Sequence, residues 1–77
     1  MDGSRLRLLR VRRGWTQTTL ATVSGVDRKT INAHERGQRR RMWPRTHDKI
    51  TAAFAAFPTI EDQIEATGAT LAPPRPG

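Results

Sequence analysis

The sequence predicts an all-α fold, a compact bundle of about five short helices, and three observations carry that prediction. No segment alternates apolar and polar residues as a half-buried strand would. Gly14, Gly25, Gly37 and Pro58 interrupt the chain, and Ser4, Thr16, Asp27 and Thr59 stand where a helix wants a capping side chain. Ile50, Ala53, Phe54 and Phe57 fall at i, i+3, i+4 and i+7, the stripe of a helix that faces a core.

The first helix is expected from about Ser4, as N-cap, to Arg13, with Gly14 as its stop; Leu6, Leu9 and Arg13 share a face and Arg10 lies beside them. The second begins after Thr16, carries Leu20, Ala21 and Val23, and ends at Ser24-Gly25, where glycine can take the left-handed conformation of a sharp turn. The third starts after Asp27, a strong N-cap, and runs to Arg36 before Gly37. Residues 38–45 have no clean period, include Pro44 and read as a basic loop. A fourth helix covers about Thr46 to Phe57. Thr59 caps a short fifth, with Glu61 and Asp62 in its first turn and Ile60 and Ile64 facing inward. Residues 1–68 form one domain, and 69–77 are expected as a disordered Pro-rich tail.

Composition narrows the function. At 77 residues there is room for one thin core, and without cysteine neither a disulfide nor a thiolate metal site can brace it. The longest apolar run, Ile50 to Phe57, is too short to span a membrane and is interrupted by Thr51. The first residues lead straight into charged ones with no apolar signal stretch, so the expected location is the cytoplasm. The formal net charge is +7, and its distribution says more than its size. Residues 1–47 hold twelve Lys/Arg against three Asp/Glu, whereas residues 48–77 hold two against four. A polyanion held on one face would account for that asymmetry, although a solvated basic surface is the plainer reading.

The second and third helices, joined by a tight glycine turn, make a helix-turn-helix. Ala21 must be small where the third helix crosses, Gly25 supplies the turn, and Val26 and Ile31 pack the third helix on the second with Leu20 beneath. Those demands leave Arg28, Lys29, Asn32 and Ala33 along one side of the third helix, about Arg28 to Arg36, the side a helix in a major groove presents to base edges. The Arg28 guanidinium suits guanine O6 and N7, Lys29 the same acceptors and Asn32 adenine, while Ala33 offers only a methyl group to thymine. Asp27 is expected to cap rather than to read bases.

Gln17-Thr18-Thr19-Leu20-Ala21, Gly25-Val26, Ile31 and Glu35-Arg36-Gly37 resemble the helix-turn-helix of lambdoid phage repressors, Cro proteins and their bacterial relatives. Leu6-Arg7-Leu8-Leu9-Arg10 and Arg13-Gly14-Trp15-Thr16-Gln17 resemble that family's entry helix, so the likeness covers about residues 4–57. It implies a bundle that places its third helix in the major groove. It also implies a phosphate contact from Gln17 at the start of the second helix, with Thr18 beside it, and a mostly buried ion pair between Arg10 and Glu35. Three departures stand out: His34 where the family has a bulky apolar residue, Ser24 where leucine is common, and a somewhat long basic loop.

Other chemistry finds little support. His34 reads as a packed core residue rather than a ligand or base, and His47-Asp48 has no partner at a metal spacing, so no metal or cofactor is expected. Ser4 and Ser24 have no histidine and carboxylate to activate them, and no glycine-rich phosphate loop follows a strand, so no enzyme is expected. Trp15 is expected to cover the core; for Trp43, packing under the loop and contact with DNA sugar-phosphate stay equally open. Arg39, Arg40, Arg41 and Arg45, placed after the recognition helix, are expected on the phosphate backbone or in the flanking minor groove rather than merely solvated.

The reading is a sequence-specific double-stranded DNA-binding transcriptional regulator of repressor or Cro type. The alternative is a protein-interaction module, an antitoxin or adaptor on a helix-turn-helix scaffold. The resemblance implies a palindromic operator as the partner, bound by a homodimer that pairs around Phe57 to Ala66. With Ile60 and Ile64 expected to be taken up by the protein's own core, little apolar surface is left over, so the protein is expected to be weakly paired or monomeric when free.

Overall fold

The computed structural model describes residues 1–38 and 41–68; the expected tail and two of the loop arginines, Arg39 and Arg40, lie outside the described residues. Five helices follow in order: α1 (Gly3–Arg12), α2 (Gln17–Ser24), α3 (Arg28–Glu35), α4 (Pro44–Ala56) and α5 (Ile60–Thr67). There is no strand among the described residues.

Asp2, not Ser4, caps α1: its carboxylate accepts from the Arg5 N–H at 2.7 Å. The entry of α1 is set by close contact, because a Cβ on Gly3 would stand 1.9 Å from the His34 carbonyl oxygen. Only glycine lets α1 press onto the C-terminal end of α3. Thr16 caps α2 by accepting from the Thr19 N–H at 3.1 Å. Gly25 ends α2 at φ +75°, in the left-handed region that disfavours side chains. Ser24 braces that turn, donating to the Leu20 carbonyl at 2.7 Å and accepting from the Val26 N–H at 3.2 Å. The small polar residue thus satisfies two backbone groups where leucine would satisfy none.

Two further expectations about helix starts need correction. Asp27 occupies the cap position of α3 but makes no side-chain cap bond, so that start rests on backbone geometry. The fourth helix begins at Pro44 rather than Thr46, which takes Pro44 and Arg45 out of the loop. Proline is favourable at the first helical position, where its missing N–H would have no partner and its φ is already helical. In α5, Thr59 and Asp62 cap each other's backbone N–H groups in a capping box.

The core consists of Leu6, Leu9, Leu20, Val26, Ile31, Ile50, Ala53 and Phe54, with Trp15, Ala21 and Met42 at its margin. It lies where α2 packs on α3 and α4, and where α1 packs on α3. His34 is buried with the core at 3% exposure, and its Nε2 has no hydrogen-bond partner among the described residues. Trp15 covers the core from the side, stacked on Phe54 at 6.1 Å and edge-on to Phe57 at 5.4 Å.

The fifth helix departs most from expectation. None of its residues is buried, and Ile60 is 71% exposed instead of facing inward. Phe57, expected to complete the core stripe of α4, is 52% exposed, because the chain leaves the helix there at φ −132°. Ile64 is half-buried, and ion pairs tie α5 to α1 and to Arg13 just after it. Arg5 pairs with Glu65 at 2.7 Å, Arg12 with Asp62 at 3.1 Å and also with Glu65, and Arg13 with Asp62. Arg13 is the centre of this clasp. Its guanidinium is nearly covered and donates to the carbonyls of Leu9, Phe54 and Phe57 at 2.6, 3.1 and 2.8 Å, while lying 4.6 Å from the Phe54 ring centre.

Candidate nucleic-acid interface

The packing of α3 on α2 decides which side chains of the motif face outward. Leu20, Val26 and Ile31 are buried, so α3 turns Arg28 and Lys29 to solvent and keeps Asn32 and Ala33 half-buried beside them. Thr18 and Arg36 are exposed, as are Arg41 before α4 and Arg45 in its first turn. Arg28, Lys29, Arg36, Arg41, Arg45 and Lys49 have no ion-pair partner among the described residues. Exposed cations without internal carboxylates are free to meet an external anion.

Behind this face, Arg10 and Glu35 form a two-point ion pair, Nε to Oε2 at 2.7 Å and Nη2 to Oε1 at 2.8 Å. The Arg10 and Glu35 side chains are 13% and 4% exposed, and Arg10 also donates to the Trp15 carbonyl at 2.8 Å. The hydrogen bonds that Arg10 donates to Glu35 raise the Arg10 pKa above its ordinary value against the opposing effect of burial. The pair ties α1 to the last residue of α3.

Gln17 joins the same network. Its amide donates to Asn32 Oδ1 at 3.3 Å and to Glu35 Oε1 at 3.4 Å, which links the start of α2 to the outward face of α3. The Asn32 oxygen is thereby engaged within the motif. A shallow depression of about 210 Å³ lies here, lined by Arg7, Arg10, Gln17, Glu35 and Arg36. Arg7 and Arg36 give its rim a positive charge at the amino end of α2.

Sequence reasoning missed the clasp between α1 and α5. Burial works against ionisation of Asp62, but the Arg13 and Arg12 guanidiniums and the Thr59 N–H outweigh it and hold that carboxyl below its ordinary value. Glu65 is lowered by hydrogen bonds from Arg5 and Arg12. The available signal is the excess of acid after residue 47, which can serve as a partner for α1 as well as marking the less basic end of the chain.

Fold and surface together define a helix-turn-helix domain, the architecture of DNA-binding regulators. A family model described as a helix-turn-helix domain matches residues 3–72, and the chain belongs to that family. The match is consistent with the Cro and lambda-repressor type. No curated protein and no solved structure matches the chain. Among the described residues no helix is long and apolar enough to cross a membrane, and no group of three or more His, Cys, Asp or Glu could hold a metal ion.

Proposed function

We propose that this chain is a sequence-specific regulator of repressor or Cro type that occupies an operator in the cytoplasm and excludes polymerase. The observation that carries the reading is the outward face of α3, where Arg28 and Lys29 stand exposed with no ion-pair partner among the described residues. Arg28 and Lys29 take guanine acceptors, Asn32 takes adenine, and Ala33 lies against a thymine methyl group. Gln17 and Thr18 at the amino end of α2, with Arg41 and Arg45 across the face and the loop's Arg39 and Arg40, hold phosphates and fix the register.

The protein pairs on DNA at a two-fold operator. Ile60 and Phe57 are not taken up by the core, so the segment has more apolar surface to offer a second copy than its sequence implied. That surface is still small for a stable free dimer, and pairing is therefore weak without DNA. Selection of bound duplexes from a random pool tests the reading. A two-fold motif with half-sites about one helical turn apart, bound less tightly as salt rises, is expected. Failure to enrich any sequence would overturn it.

A further inference from the structure

The two tryptophans have opposite surroundings. Trp15 lies against Phe54 and Phe57, whereas Trp43 is 71% exposed and has no ring contact among the described residues. The backbone under Trp43 is nevertheless tied down on both sides. Met42 before it packs against the core, Pro44 after it opens α4, and the Trp43 carbonyl accepts from the His47 N–H at 2.9 Å. The ring is thus held out from a fixed point rather than left on a slack chain. Trp43 lines a groove of about 380 Å³ with Arg41 and Pro44. In the sequence, residues 36–47 hold five arginines and no acidic residue.

A surface complementary to this one is anionic and, between its anions, apolar. The rim of a DNA duplex has that character, with phosphates separated by deoxyribose edges. A protein surface seated here would have to match several guanidiniums with carboxylates around one indole. We propose that Trp43 is a DNA contact outside the recognition helix. Its ring lies against the sugar edges of the minor groove flanking the bases read by α3, while Arg41 and Arg45 hold the adjacent phosphates. A flat aromatic ring discriminates poorly among base edges there, so it selects flanks by groove width and ease of deformation. The inference rests on the DNA-binding reading above.

The test uses the intact chain and a duplex recovered from the random pool, with the flanks either kept or trimmed. Trp43→Ala is expected to lose about tenfold in affinity on the flanked duplex, and Trp43→Phe to stay within about threefold of wild type. Trimming the flanks should cost the wild type that same factor and cost Trp43→Ala nothing. Trp43 emission, taken as the difference between wild type and Trp43→Phe, should become shielded from acrylamide when the flanked duplex is added. Since the ring is exposed, helicity by circular dichroism should be equal in all three proteins. Normal binding by Trp43→Ala, with wild-type sensitivity to trimming, would overturn the proposal while leaving the DNA reading intact. Concentration-dependent shielding of Trp43 in the free protein would overturn it in favour of a second copy. No binding of wild type to any duplex would overturn both.

Discussion

Four arginines on and just after α1 and the cations of the α3–loop–α4 edge are alike in chemistry, yet the fold uses them in opposite ways, while Arg7 of α1 has no ion-pair partner among the described residues. Arg5, Arg10, Arg12 and Arg13 each lie against a carboxylate, drawn from Glu35 at the end of α3 or from Asp62 and Glu65 on α5. Arg28, Lys29, Arg36, Arg41, Arg45 and Lys49 have no such partner among the described residues. The difference lies in where the acids fall. Residues 48–77 bring Asp62 and Glu65 back across α1, so part of the positive excess of residues 1–47 is cancelled on one side of the molecule. The cations without an ion-pair partner among the described residues include Arg28, Lys29 and Arg36 on and just after α3 and Arg41, Arg45 and Lys49 before and on α4. The charge a partner meets is therefore set by the pairing inside the fold, not by the sum along the chain.

The strongest way to break this comparison is through Arg10 and Glu35. Either Arg10→Met or Glu35→Gln leaves its former partner buried without a counter-charge, and each is expected to lower stability by roughly 3 kcal/mol in urea unfolding. Wild-type stability in either variant would mean that the pair contributes no more than a surface contact.

On the other side of the comparison, substitutions should leave folding unchanged and weaken binding. Arg28→Ala is expected to cost about 1–3 kcal/mol on the selected duplex and to relax preference at one position per half-site. Arg41→Ala should weaken binding to all duplexes about equally, since a phosphate contact carries no base information. Indistinguishable profiles across a panel of sites would remove the distinction between reading and holding.

The clasp should show a smaller effect, visible as a pH dependence. Asp62 and Glu65 have lowered pKa values in the folded protein, so the unfolded chain binds more protons in acid. Their stabilisation is complete above the ordinary carboxylate range, about pH 4, and is lost as pH falls through the folded-state values. The urea midpoint should drop between about pH 5 and pH 3, and less so in the double variant Asp62→Asn, Glu65→Gln. Equal pH profiles for the two proteins would show that α5 is held by something other than these carboxylates.

The elements legible in the sequence were those fixed by local chemistry. Thr16, Gly25 and Thr59 each act through their own backbone or that of near neighbours, and each stands where its residue type requires. The buried positions Leu20, Val26 and Ile31 were legible because a crossing of two short helices leaves few alternatives. What escaped were choices made by distant contacts. Asp2 caps α1 in place of Ser4, and Gly3 after it lies against the backbone of His34, a contact distant in sequence. Ile60 fits the period of an inward face, but Arg13 fills the space between α1 and the α4–α5 junction and bonds to carbonyls an isoleucine could not satisfy. On the interface, residue types marked Arg28 and Lys29 as available for contact, whereas the engagement of Asn32 by Gln17 depends on how α2 and α3 meet.

The division between internal and external arginines is tested most directly by the salt dependence of DNA binding. Each phosphate-bound cation releases counterions, so removing one lowers the slope of log affinity against log salt by about 0.9. Arg41→Ala is expected to reduce the slope by that amount, and Arg12→Met, verified as folded, to leave it unchanged. A reduced slope in Arg12→Met together with an unchanged one in Arg41→Ala would contradict the account, since it would place the DNA on α1 and not on the edge formed by α3, the loop and α4.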